Sequence, residues 1–236
     1  MIQYERKQTI LQLLEQLRTA TVKELAGKVF ASEASVRRDL EALEREGYVQ
    51  RVYGGVILSK YKNSVLPLSL RDSAHTAEKD ALARRAAALI PDGATILMDA
   101  SSTVRRICDY LGGRRSLKII TNSLRICSSL VSRDLKIYGT GGALNQQNQA
   151  FVGPAAENFV RSISADFLFF SSQGLSAEGE ISDASEEETS LRRVMLSRAE
   201  QKIFLCDSSK LNRKYLFTLC HREEVQVFCD APLPWE

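Results

Sequence analysis

The sequence predicts an α/β protein in two unlike parts. A small helical domain ending in a β-hairpin occupies residues 1–58, and a larger domain with a mainly parallel sheet occupies 76–236. Three observations lead there. Apolar residues between Ile10 and Leu43 recur at spacings of three and four, as on buried helix faces. Directly afterwards the pattern shortens to strand alternation around a Gly-Gly pair. From Thr76 onward helical segments alternate with short apolar runs, the pattern of parallel strands covered on both faces.

Residues 5–18 place Ile10, Leu14 and Leu17 on one side of an amphipathic helix of about four turns. Thr21-Val22-Lys23-Glu24 is a capping box, in which hydroxyl and carboxylate each satisfy a free backbone N–H, so a second, short helix follows. Phe30-Ala31 breaks the period. Ser32 caps a third helix whose buried face is Val36, Leu40 and Leu43, and Gly47 offers a left-handed stop. Residues 48–53 and 56–58 then pair across a two-residue Gly54-Gly55 turn. Three helices and a hairpin in this order make a winged helix-turn-helix.

Residues 59–75 have little periodicity and contain a proline, which marks a linker. The larger domain begins with a helix from Ala77 to Ile90, a Pro91-Asp92-Gly93 turn, a strand from Ala94 to Asp99 and a helix through Val104 and Leu111. Strands follow at 117–121, 135–139, 165–171, 202–207 and 225–230, most of them separated by helices.

The 236 residues are 44% hydrophobic and 26% charged with 13 Gly and 5 Pro, which excludes a disordered or collagenous chain. No apolar run reaches a membrane span, and MIQYERKQTI is not a secretory signal, so the expected compartment is the cytoplasm. Five widely spaced cysteines without a C-x-x-C pair, beside two histidines, favour neither a metal site nor a disulfide framework. Cys127, Cys206 and Cys229 lie in apolar runs, where a free thiol packs as a small hydrophobe.

The net charge of +3 announces no nucleic-acid binder, and residues 1–58 hold nine basic and eight acidic side chains, so placement matters more than the sum. With Val36, Leu40 and Leu43 inward, the third helix turns Ala34, Ser35, Arg38 and Ala42 outward with Arg37 at their flank. Small residues permit close approach to a major groove, and an Arg guanidinium can grip guanine or phosphate. Ser32 and Ser35 stand where free backbone N–H groups can hold phosphates. An ordinary helical hairpin with a solvated face fits the same pattern.

In the larger domain, four segments follow predicted strands: Asp99 with Ser101, Ser102 and Thr103; Thr121, Asn122 and Ser123; Gly141-Gly142; and Asp207 to Lys210. Each alone is equally a plain helix cap, turn or solvated lysine. Together they would line the carboxyl edge of the sheet, where open α/β sheets bind ligands. Hydroxyls, backbone N–H groups and the Lys210 ammonium there suit a phosphate.

The string Arg6, Ile10, Leu14, then Ser32, Ser35-Val36-Arg37-Arg38-Asp39-Leu40, then Gly47-Tyr48-Val49, Arg51-Val52-Tyr53-Gly54-Gly55 closely resembles the DeoR family of bacterial transcriptional regulators. Ser35 stands where the family usually has Thr, and Tyr53 where a His commonly precedes the glycines. The resemblance implies operator DNA as partner, contacted by Ser32, Ser35, Arg37, Arg38 and the wing residues Arg51, Tyr53 and Gly54. Residues 71–230 resemble the effector domain of the same family, related in fold to ribose-5-phosphate isomerase and coenzyme A transferases. The matching points include Arg71, Glu78-Lys79, the Asp99 loop, Thr121 to Ser123, Gly141-Gly142, Phe151, Gly153, Glu188 and Asp207 to Lys210. Ser101 replaces the usual Gly. The resemblance implies a phosphorylated sugar effector and adds Glu188 to the pocket.

The other acidic residues between Glu178 and Glu187 read as the solvated, charge-favoured start of a helix. No nucleophile and base stand out, so no catalytic residue, metal or cofactor is expected. The expected protein is a regulator, most simply a repressor of a sugar operon, acting as a homo-oligomer (dimer or tetramer) away from membranes. The competing readings are a sugar-phosphate isomerase or related acyl transferase with an appended DNA-binding domain, and a scaffold without ligand.

Overall fold

The computed structural model describes residues 3–46, 48–52, 55–58, 68–131 and 135–235. The chain separates into two compact units, 1–74 and 75–236. In the first, α1 (Gln3–Leu17) leads through β1 (Thr19–Ala20) to α2 (Val22–Lys28) and α3 (Glu33–Arg45). The hairpin β2 (Val49–Val52) and β3 (Gly55–Leu58) comes next. The Thr21 capping box forms in both directions, and Ser32 caps α3. Ile10, Leu14, Leu25, Val36, Leu40, Leu43, Val49 and Val56 make the core, so the apolar stripes read from the sequence face inward except at Leu17, which is 41% exposed because it is the last residue of α1 and lies beyond the packed turns.

Two details differ from the expectation. The ladder runs to Val52 opposite Gly55, so Gly55 is a strand residue and not part of the turn. Gly55 has no room for a side chain, because a Cβ would stand 2.9 Å from the Ala20 carbonyl oxygen of β1, a third strand of the wing that the sequence does not announce. Gly47, Tyr53 and Gly54 lie outside the described residues, as does 59–67 of the expected linker. The rest of that segment is not all irregular, since Leu68–Ser73 forms a helix, α4.

The second unit opens with α5 (Thr76–Ala88), β4 (Thr95–Met98), α6 (Ser102–Arg105) continued by a 3₁₀ turn to Tyr110, β5 (Lys118–Thr121), α7 (Leu124–Leu130) and β6 (Lys136–Gly139). A hairpin of β7 (Ala143–Asn145) and β8 (Ala150–Val152) leads to α8 (Pro154–Arg161) and β9 (Ala165–Phe170). Then come β10 (Gly174–Leu175), β11 (Glu180–Asp183), α9 (Glu186–Ser197), β12 (Ala199–Cys206), β13 (Phe217–His221) and β14 (Gln226–Cys229).

Six strands form one sheet in the order β14-β12-β9-β4-β5-β6, every neighbouring pair parallel. The antiparallel strands stand apart in a β10-β11-β13 sheet and the β7-β8 hairpin. One face of the main sheet packs Ile96, Met98, Ile119 and Phe169 against Leu82, Ala86, Ile107 and Ile126. The other packs Leu97, Leu168, Phe170 and Phe204 against Ala156, Val160, Leu191 and Met195. The inner strands β12, β9, β4 and β5 therefore alternate between two cores, which is why they read as apolar runs, whereas the edge strand β6 is largely exposed. From β4 the sheet first grows through β5 and β6, and then from β9 it grows the other way. The order reverses between β4 and β9, the position where a parallel sheet leaves a crevice at its carboxyl edge.

Candidate functional site

On the first unit, α3 is held by an ion pair that its sequence string contains but that periodicity does not reveal. Asp39 is fully buried and accepts from Arg6 of α1, Nε at 2.5 Å and Nη2 at 3.2 Å. This two-pronged contact fixes the orientation of α3 and leaves its opposite face exposed. At the start of that face the Ser32 hydroxyl accepts from the Ser35 N–H at 3.3 Å and lies 3.0 Å from the Ser35 hydroxyl. Three arginines differ in freedom. Arg37 pairs with Glu33 one turn earlier at 2.9 Å, both exposed. Arg51 reaches back from β2 to Glu41 at 3.1 Å and Glu44 at 3.6 Å. Arg38 is exposed, and among the described residues its guanidinium has no hydrogen bond or ion pair.

On the second unit, the segments after β4, β5, β6 and β12 all lie at the carboxyl edge of the main sheet, together with the segment after β9. Asp99, just beyond β4, is buried with both oxygens engaged: Oδ1 accepts from the Ser101 N–H at 3.0 Å, and Oδ2 from the Ser171 N–H at 3.2 Å and Arg192 Nε at 2.8 Å. Arg192 of α9 also binds Asp183 at 2.9 Å and Glu188 at 2.9 Å. Burial works against the guanidinium charge, but Asp183, Asp99 and Glu188 outweigh it and hold Arg192 protonated far above its ordinary range. Glu188 is also bonded by the Asn148 amide, so it belongs to this buried network.

Next to it, Lys210 donates to the Ser171 hydroxyl at 2.5 Å and stands 3.4 Å from Asp207. Burial raises the Asp207 carboxyl, yet Lys210, the Ser209 hydroxyl, Lys79 and His75 prevail and keep it below the usual carboxylate range. Lys79 of α5 is thus a second cation here, buried to 3% exposure.

The remaining rim residues divide by the bonds their polar atoms already make. The Ser101 hydroxyl caps Val104, the Ser123 hydroxyl caps Ile126, and Thr121 Oγ1 accepts from the Ser123 N–H. Ser101, standing where the family usually has Gly, thus serves as the cap of α6. Gly142 serves packing: at φ +105° a Cβ would lie 2.6 Å from the Val152 carbonyl oxygen, whereas Gly141 faces open space. Ser102 is buried beside them. Thr103 Oγ1 and Asn122 Oδ1 are buried with no hydrogen-bond partner among the described residues. Such atoms normally cost stability unless something satisfies them.

The acidic stretch before α9 is not uniformly solvated. Glu186 and Glu187 are exposed, as expected of a first turn, but Asp183 is buried on Arg192, and Glu180 bonds Lys214 at 2.7 Å. Ser171, Asn148, Asp183 and Arg192 were not foreseen. The only sequence signal was Glu188 four residues before Arg192, a helical ion-pair spacing.

Residues 6–62 match the DeoR-like helix-turn-helix domain, and residues 74–231 match the DeoR C terminal sensor domain. The HTH-type transcriptional regulator GolR of Listeria innocua is 32% identical over 89% of this chain and 84% of its own. The L-fucose operon activator of Escherichia coli is 31% identical over 93% of this chain and 91% of its own. The HTH-type transcriptional regulator GlpR of Haloferax volcanii is 28% identical over 97% of this chain and 89% of its own. Among solved structures, ribose 5-phosphate isomerase A of Methanocaldococcus jannaschii superimposes with a TM-score of 0.44 at 15% identity, over 58% of this chain and 55% of its own. With a helix-turn-helix match followed by a sensor-domain match across most of its length, the chain belongs to the DeoR family of transcriptional regulators.

Proposed function

We propose that the protein represses a sugar-metabolism operon, binding operator DNA through α3 and the wing and releasing it when a phosphorylated sugar occupies the carboxyl edge of the parallel sheet. The observation that carries the effector reading is the pair of unsatisfied buried atoms, Thr103 Oγ1 and Asn122 Oδ1, on a rim that also holds Lys210 and Lys79. Polar atoms in need of partners suit sugar hydroxyls, and two ammonium groups suit a phosphate dianion. Asp99 and Glu188 serve this reading as organisers of the loops, because Arg192 and neighbouring N–H groups already occupy their oxygens. On DNA, Arg38 offers a guanidinium with no bond among the described residues, while Arg37 and Arg51 must exchange an internal carboxylate for a phosphate. A relative named for the L-fucose operon supports a sugar-linked target.

Titrating a panel of sugar monophosphates, each beside its unphosphorylated parent, against the complex with upstream DNA tests the reading. One phosphosugar should release the DNA and its parent should act much more weakly. Moving the DNA-bound population from 99:1 to 1:99 needs about 5.5 kcal/mol of differential affinity, so partial release at moderate concentrations is expected. Lys210→Ala should blunt this response and leave DNA affinity unchanged. Deleting the gene should raise transcription of the adjoining operon, and a fall would make the protein an activator instead.

A further inference from the structure

Phe30 occupies the turn between α2 and α3, two residues before the Ser32 cap. Its backbone is left-handed, with φ +50°, and its side chain is 95% exposed. Both features are unfavourable within the free domain. A residue with a Cβ is strained at this φ, where Gly or Asn would be at ease, and a phenyl ring in water gains nothing from the core. The turn itself is well anchored, the Ala31 N–H donating to the Ala26 carbonyl at 3.1 Å and the Val29 N–H to the Leu25 carbonyl at 2.9 Å. The ring is therefore presented outward by a fixed backbone. It stands at the N-terminal end of α3, the end of the second helix that meets base edges in a helix-turn-helix. Exposed Lys28 lies just before it in the chain, and Ser32 and Ser35 just after.

We propose that Phe30 is a DNA-contacting residue whose ring packs on the apolar surface of the duplex beside the groove that α3 enters, a deoxyribose or a thymine methyl. The proposal rests on operator binding through α3. A flat neutral ring adds apolar contact where Arg38 and Lys28 supply charge, and thymine methyl groups are recognised in this way. The cost of a strained, exposed aromatic in the free protein is then recovered in the complex.

The probe is a duplex enriched by the wild-type full chain from a random-sequence library, with affinity measured by fluorescence anisotropy. Phe30→Gly and Phe30→Asn should raise the unfolding temperature and weaken binding roughly tenfold, whereas Phe30→Tyr should stay close to wild type. The fold-loss should be the same at low and high salt, because the ring displaces no counterion. Uracil in place of thymine identifies the target: a loss seen with wild type and absent in Phe30→Gly assigns the methyl group, and an equal response assigns the sugar. If Phe30→Gly and Phe30→Asn bind like wild type while Arg38→Ala is weakened, the assignment fails and operator binding through α3 stands. If Arg38→Ala also binds normally, or the wild type enriches no duplex, both fail. Dissociation of an oligomer by Phe30→Gly in sedimentation would place the ring between copies of the chain and overturn the assignment.

Discussion

Arg192 is the side chain on which the sensor unit's rim depends, because one guanidinium neutralises part of three buried carboxylates arriving from β4, β11 and α9. Arg192→Met should cost about 3–5 kcal/mol in denaturant unfolding, since it leaves Asp99, Asp183 and Glu188 buried together without a cation. A loss below about 1 kcal/mol would contradict the role given to this network. Asp207 sets a pH dependence of known sign. Its folded carboxyl lies below the ordinary range, so its contribution to stability is complete above the unfolded pKa and disappears as pH falls through the lowered folded value. Asp207→Asn should therefore flatten the acid limb of stability against pH below about 4 and leave the slope near neutrality unchanged. Most of the rim's residues were legible as strand-end polar clusters. Arg192 and Ser171 were not, because their partner Asp99 lies 93 and 72 positions away, beyond any periodicity.

Elements were legible in proportion to their length and capping chemistry. The stripes of α1 and α3 and the caps at Thr21 and Ser32 are local facts that a sequence displays directly, and the structure forms them as read apart from Leu17, exposed at the end of α1. The two-residue strands β1 and β10 exist only because another strand lies beside them, so no local pattern announces them. The helix expected through Val104 to Leu111 shortens to α6 and tightens into a 3₁₀ turn, where Arg106 pairs with Asp80 of α5 at 2.7 Å. At this scale Gly142 is a position with little room to change. Its φ is +105°, and a Cβ would meet both Val152 and Ala156, so Gly142→Ala should displace α8 from the β8 hairpin and cost more than about 1 kcal/mol in thermal unfolding. An unfolding temperature equal to wild type would show that the backbone there adapts freely.

At the scale of the molecule, one helix-turn-helix contacts too few base pairs to find a single site in a genome, so the chain is expected to act as a homo-oligomer on repeated half-sites spaced by whole helical turns. Sedimentation of the full chain with and without DNA checks this, and a monomer in both states would contradict it. The reversal of strand order has a further consequence, for the order in which the sensor unit becomes competent. The β4-β5-β6 half and the β9-β12-β14 half are each built from near neighbours in the chain, whereas β4 joins β9 through residues such as Ile96 and Phe167 that are far apart in sequence. Closing so long a loop is entropically slow compared with forming either half. The switch point lies on that seam, so neither half alone possesses it. In refolding followed by stopped flow, far-ultraviolet dichroism should recover before the Asp99–Arg192 junction becomes protected from hydrogen exchange, and any response to the proposed phosphosugar effector should return only with the seam.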